Sequence, residues 1–278
     1  MSYKIVVDSC CEIPDELKND ERIEIVPLTL SIGDYEVIDD ADFDQKDFLH
    51  RVATSDEPAR SACPSPEAYM KAYETDADRV YVVTLSSHLS GSYNSAMVGE
   101  DMYKEAHGDK DIYVVDSETA SGGETQIALK LMEYEEKGLS FKEVVAKIQE
   151  FRDKLHTYFV LNTLDSFIKN GRIGHVKGLV ASTLNIKPLL IGVKGMIEQR
   201  AQGIGMKKAL AKMCEIIISE VKDCEERTLV ITHCNCLERA EKVRDMILEK
   251  SKYAKCIIMD MRGVSTLYAC DGGVIVTM

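Results

Sequence analysis

The sequence predicts an α/β protein of two α/β domains, the first built on a mostly parallel, doubly wound sheet. Three observations carry this reading. At 278 residues the chain exceeds the usual size of one domain. Short β-branched apolar runs recur at Ile5–Val7, Val80–Leu85, Ile112–Val115 and Tyr158–Leu161, and stretches of helical period separate three of them, which is the rhythm of βαβ units.

Taken in order, Ile5–Val7 opens the chain as a strand. Residues Arg22–Asp39 read as a hairpin outside the main sheet, with Ile23–Val26 and Tyr35–Ile38 flanking Ile32-Gly33-Asp34. Val80–Leu85 is the next strand, followed by a helix from Ser90 to about Ala106. Ile112–Val115 is a strand that leads into helices from Ser121 to about Glu136 and from Ser140 to about Leu155, each opened by a capping serine. The pattern changes after Leu161, so the division is expected between residues 1–156 and 157–278. The second half holds a glycine-rich bend at Asn170–Gly174, a strand pair near Ile186–Val193 and Met196–Gln199, and a helix from about Met206. Apolar runs at Leu229–Ile231 and Cys256–Met259 bracket a last helix from Leu237 to about Lys250.

Composition narrows the function classes. The 45% hydrophobic and 29% charged content is that of a folding globular protein. Acidic residues outnumber basic ones by 47 to 34, for a net charge of −13 and a pI near 5.0. Such a field repels phosphate backbones and anionic lipid surfaces, so nucleic-acid partners and electrostatic membrane docking are not expected. No run approaches the roughly 20 apolar residues of a membrane helix, so stable membrane insertion is not expected either. The N-terminal MSYKIVVDSCCEIP is too short in apolar residues for a signal core, and nine scattered cysteines suit reduced thiols; both point to the cytoplasm.

The stretch Leu85–Ala96, LSSHLSGSYNSA, holds five serines at the mouth of a helix. In doubly wound sheets ligands sit where strands turn into helices. With Ser90 as the N-cap, the free N–H groups of Gly91, Ser92 and Tyr93 point outward at the positive end of the helix dipole and form an anion site. The plain alternative is a capping serine among solvated turn residues. A serine nucleophile has little support: there is no G-x-S-x-G elbow, and His88 is merely close in sequence.

Six stretches, in order and across nearly the whole chain, resemble the DegV family. They are Val7-Asp8-Ser9 with Ile13-Pro14; Ser61 with Cys63-Pro64-Ser65-Pro66; Ser90–Ala96; Val115-Asp116-Ser117; Asn170-Gly171-Arg172-Ile173-Gly174; and Leu184-Asn185-Ile186-Lys187-Pro188-Leu189. Characterised members include the fatty-acid-binding subunits of bacterial fatty acid kinase. The resemblance implies a long-chain fatty acid in an apolar tunnel between the two domains, its carboxylate held by the Ser61 and Ser90 hydroxyls and the Gly91 and Ser92 amides, with Arg172 near the head group. Ser90 then serves a carboxylate that burial beside an alkyl chain would otherwise make expensive.

The chain departs from the family pattern in two places. Ala62-Cys63 stands for the usual Ser-Gln, and Tyr268, in Leu267-Tyr268-Ala269-Cys270-Asp271-Gly272-Gly273, stands for a histidine before Gly-Pro-Gly. Tyrosine donates a hydrogen bond but stays neutral at pH 7. Cys10-Cys11 and Cys234-Asn235-Cys236 beside His233 lack paired zinc spacing, so no metal and no cofactor beyond a bound fatty acid are expected. Asp8-Ser9 and Asp116-Ser117 are read as turn-ordering residues. The expectation is a lipid-binding protein with no catalytic residue of its own, presenting its ligand to a fatty acid kinase catalytic subunit. A serine hydrolase and a binder of another small anion are the alternatives.

Overall fold

The first strand, β1 (Tyr3–Asp8), buries Ile5, Val6 and Val7 completely. Successive side chains of a strand face opposite ways, so β1 is covered on both faces, as parallel strands are. A computed structural model describes residues 1–173 and 185–278. After β1 come β2 (Ile23–Val26), β3 (Thr29–Ile32), β4 (Tyr35–Ile38), α1 (Gln45–Thr54), β5 (Arg60–Ala62) and α2 (Pro66–Tyr73). Then β6 (Arg79–Thr84), α3 (Ser92–His107), β7 (Asp111–Asp116), α4 (Gly122–Glu136) and α5 (Phe141–Asp153) complete the first half.

Strands β2, β1, β6 and β7, in that order, form a parallel sheet. Alternation sorts its two faces. Ile5, Val7, Tyr81 and Val83 pack on Ile127 and Leu131 of α4 and on Val144 and Ile148 of α5, whereas Val6, Val80 and Val82 pack on Tyr69 and Tyr73 of α2 and Ala96 of α3. Each such aliphatic side chain contributes roughly 1.5–3 kcal/mol by leaving water. From β1 the chain goes to β2 on one side and then crosses to β6 on the other, so the topological switch point lies at the carboxyl ends of β1 and β6.

The expected hairpin is corrected in part. Ile23–Val26 is not one of its arms but β2, the edge of the parallel sheet. Pro27 explains the break, because it has no N–H to continue a ladder. The hairpin is β3 with β4, closed by Gly33 at φ 56° and Asp34, and β5 pairs on the other side of β3. Helices α1 and α2 have no counterpart in the sequence reading.

The second half contains β8 (Thr157–Val160), α6 (Asp165–Lys169), β9 (Ile186–Val193), β10 (Met196–Ile204), α7 (Met206–Glu220), β11 (Thr228–His233), α8 (Leu237–Leu248), β12 (Lys255–Asp260), α9 (Gly263–Ala269) and β13 (Val274–Thr277). Gly174 and Leu184, which end and begin two of the quoted motifs, lie outside the described residues. The sheet order is β10-β9-β8-β13-β11-β12. Among the described residues only β11 and β12 of this sheet pair in parallel; the other pairs are antiparallel. Met213 and Ile217 of α7 and Val243 and Ile247 of α8 cover one face.

The other face meets α4, which is thereby sandwiched between the two sheets. A Cβ on Gly122 would lie 2.8 Å from Val230 Cγ1, so this approach requires glycine. Within the same seam the buried Glu12 carboxylate accepts the Arg262 N–H at 3.0 Å and the Ser121 hydroxyl at 3.3 Å.

Burial pushes the Glu12 carboxyl up to about 8 and that of Asp8 up to about 6. An unfolded glutamate titrates at about 4.3. Between about pH 5 and 8 the folded state therefore holds a Glu12 proton that the unfolded chain lacks, and stability falls as pH rises. The slope from one such group is at most about 1.4 kcal/mol per pH unit. Glu12→Gln is expected to flatten the decline, as measured by urea unfolding across that range; an unchanged slope would show that Glu12 ionises normally.

Candidate functional site

The serine turn is fixed from below by strand ends. Asp8, at the end of β1, accepts the N–H groups of Leu85 at 2.8 Å and Cys10 at 3.0 Å. Asp116, at the end of β7, accepts those of Ser87 at 3.0 Å and Glu118 at 3.2 Å. Both Asp-Ser pairs thus order turns, as their placement after apolar strands suggested. From the other sheet, the Gly195 carbonyl in the β9–β10 turn accepts the Ser86 hydroxyl at 2.8 Å.

The helix begins later than the sequence reading had it. Ser92 is the first residue of α3 and Gly91 occupies the capping position. Ser90 donates its N–H to the Ser86 carbonyl at 3.0 Å, and its Oγ accepts the Ser92 N–H at 3.1 Å, so its hydroxyl shapes the turn before the helix. Accepting that bond leaves the hydroxyl proton able to donate elsewhere. A Cβ on Gly91 would sit 2.9 Å from Cys63 Sγ, so a side chain there would displace the Cys63 thiol. The Gly91 N–H has no hydrogen-bond partner among the described residues.

Ser61 and Tyr268 meet through a chain of local necessities. Ser61 lies in β5, opposite Leu30 of β3. The β3–β4 hairpin ends at Asp39, fully buried, which accepts the Gly263 and Val264 N–H groups of α9 at 2.8 and 2.9 Å and the Ser9 hydroxyl at 2.9 Å. Gly263 is required there, because a Cβ would lie 2.6 Å from Asp39 Cγ. Asp39 thus holds α9 against the sheet that carries Ser61, and the Tyr268 hydroxyl lies 3.3 Å from Ser61 Oγ. The Tyr268 ring packs 4.9 Å from Phe167.

Arg172 follows α6 and the positive-φ Gly171. Its Nε donates to the Leu89 carbonyl at 3.3 Å and its Nη1 to the Asn170 carbonyl, which aims the guanidinium at the serine turn and leaves further N–H groups of its fork without a partner among the described residues.

Five of the six sequence-predicted residues, Ser61, Ser90, Gly91, Arg172 and Tyr268, line one cavity of about 300 Å³ between the two sheets. That volume lies at the lower end of the range for small-molecule sites. Ser92 does not line it. It is fully buried behind Ser90, 3.0 Å from Ser90 Oγ, and its hydroxyl stabilises the ionised form of Asp8. The sequence reading also missed most of the apolar wall, which includes Leu85, Leu89, Phe159, Leu161, Phe167 and Val264. Phe159 and Leu161 were visible as an apolar run, but which face of the strand they share with the cavity was not.

Among the described residues Arg172 is the only cation on the lining and Glu118 the only carboxylate. Donors gathered at one end of an apolar space suit an anion with an apolar body. No histidine or carboxylate among the described residues lies within hydrogen-bond distance of the Ser61 or Ser90 hydroxyl, so neither has a base beside it. Cys234-Asn235-Cys236 is a turn in which His233 Nδ1 accepts the Cys236 N–H at 3.3 Å and faces Asp260 at 3.2 Å. No group of three or more His, Cys, Asp and Glu side chains suited to a metal occurs among the described residues. No described helix is long and apolar enough to cross a membrane.

The family model described as "Uncharacterised protein, DegV family" matches residues 2–277. A DegV domain-containing protein of Streptococcus gordonii is 34% identical over 278 residues, covering 99% of this chain and 98% of the relative. Two solved structures extend the comparison. A DegV family protein from Ruminococcus gnavus, refined with vaccenic acid, superposes with a TM-score of 0.97 at 45% identity, over 100% of both chains. The fatty acid kinase B3 protein of Streptococcus pneumoniae, loaded with linoleic acid, superposes with a TM-score of 0.89 at 31% identity, over 100% of this chain and 99% of that one.

Cys63 is exposed and lines the cavity beside Gly91, whereas Cys10 and Cys11 are buried and their burial pushes both thiols up. A disulfide reagent is therefore expected to modify Cys63 in the folded protein and to reach Cys10 and Cys11 only on unfolding. Peptide mapping after brief labelling checks this; early modification of Cys10 would mean that the floor of the cavity opens.

Proposed function

This chain belongs to the DegV family, and from that membership and the geometry of the crevice we propose that it binds a long-chain fatty acid between its two sheets and presents the carboxylate to the catalytic subunit of a fatty acid kinase. The observation that carries the proposal is the convergence of Ser61, Ser90, Gly91, Tyr268 and Arg172 at one part of a mostly apolar cavity. An alkyl chain contributes favourable burial along the walls, roughly 0.8 kcal/mol per methylene. A carboxylate beside it forfeits water, and only charge-assisted donors offset that loss. Here they are two side-chain hydroxyls 3.3 Å apart, a third at Ser90, the amide of Gly91 at the positive end of α3, and the guanidinium of Arg172.

In this reading the protein is a carrier and the chemistry belongs to the partner. The relatives refined with vaccenic acid and loaded with linoleic acid support the ligand class, and the kinase B3 protein supports the partner class. We place the division between the two domains at residue 157, so that the ligand lies in the seam, and the protein in the cytoplasm, where such a kinase has access to ATP.

Organic extraction of the purified protein, followed by mass spectrometry, is expected to release a long-chain fatty acid in stoichiometric amount. Ser90→Ala is expected to weaken binding by about 1–3 kcal/mol, read by displacement of a fluorescent fatty acid analogue. Protein that yields no fatty acid and binds neither added palmitate nor oleate would contradict the proposal.

A further inference from the structure

We propose that the Thr119–Thr157 hydroxyl pair is the stop that the methyl end of the acyl chain meets, so that these two threonines and Gly192 set chain length. The inference rests on the fatty-acid reading above and adds to it where the chain must end. Strand β8 gives the direction. Thr157, Phe159 and Leu161 alternate along one face, all line the cavity, and at about 3.3 Å per residue they span about 13 Å. The Leu161 end is the polar-head end: Leu161 packs in one apolar cluster with Phe167 and Tyr268, whose rings lie 4.9 Å apart. Thr157 marks the far end.

There the Thr157 Oγ1 lies 2.8 Å from Thr119 Oγ1, a bond that joins the two halves of the chain across the cavity floor. Beyond it is a second cavity of about 410 Å³, which shares Glu118, Thr119, Thr157 and Gly192 with the first. This further space is polar, with Arg152, Asp153 and Lys194 on its walls. A methyl end pushed past the threonines would break a buried hydrogen bond and enter surroundings that reward no apolar contact. Up to the stop, each buried methylene is worth about fourfold in affinity; past it the gain ceases. Gly192 sets the clearance beside the stop, since a Cβ there would lie 3.3 Å from Thr157 Cβ.

The test uses the full chain, stripped of lipid, and a series of saturated fatty acids from laurate to arachidate competing with a fluorescent analogue. For the unaltered protein, affinity is expected to rise about fourfold per methylene to a maximum and then to level off or fall. Thr157→Ala removes the pair and is expected to move the maximum to longer acids. Gly192→Val, or the smaller Gly192→Ala if the valine variant does not fold, is expected to move it to shorter ones. Variants that bind fatty acids with the maximum unmoved would overturn the proposal, whereas an unaltered protein that binds none of the series would overturn the carrier reading itself.

Discussion

Three hydrogen bonds cross from the region around the start of α4 to the second sheet: Thr119 Oγ1 with Thr157 Oγ1 at 2.8 Å, Ser121 Oγ with Thr232 Oγ1 at 2.9 Å, and Gln126 Nε2 to Thr277 Oγ1 at 3.0 Å. All six residues are buried, so each bond holds its partners in place at a fixed separation. Gly122 brings the helix onto Val230, and beyond the helix end the sheets are left with a gap between them. Ser121 adopts φ 54°, a backbone conformation that costs of order 1–3 kcal/mol and persists because Glu12 and Thr232 hold its hydroxyl. Small hydroxyl residues at the seam, in place of interlocking aliphatic ones, are what keep a cavity open at the carboxyl ends of β1 and β6.

The electrostatics beneath the cavity follow from the same burial. Asp8, Glu12, Asp39 and Glu124 lie buried under the serine turn and α9, and burial pushes each carboxyl up. Glu124 is the extreme case, fully buried with the Asp8 charge opposing its ionisation, so it is held neutral. A chain with a net charge of −13 can therefore offer an anion a local field set by Arg172 and the α3 terminus. Asp39 has a second consequence. By accepting two N–H groups of α9 it places Tyr268, from the last residues of the chain, beside Ser61.

Much of this was legible in the sequence, for a physical reason in each case. The apolar runs of β1, β6 and β7 are buried on both faces, and continuous β-branched runs are how such strands read. The family motifs led to five of the cavity-lining residues. What failed was non-local or a matter of one residue. Ile23–Val26 has the alternation of a hairpin arm, and only its pairing with β1 shows that it belongs elsewhere. Ser90 looks like a cap, yet its hydroxyl reaches the Ser92 N–H two residues on, which moves the helix start and turns Ser92 inward. Asp39 and the Thr119–Thr157 pair carry no local signal, because their partners lie 224, 225 and 38 residues away in the chain.

In the proposed function an ionised carboxylate sits among the donors at Ser61, Ser90, Gly91 and Arg172. Carbon-13 NMR of oleate labelled at the carboxyl carbon and bound to the delipidated protein reports on that group alone. A discrete bound resonance is expected, with a titration midpoint below that of an unbound carboxylic acid, because charge-assisted donors favour the ionised form. A bound resonance that titrates above the unbound value would place the carboxyl group among the apolar walls and contradict its binding at these donors.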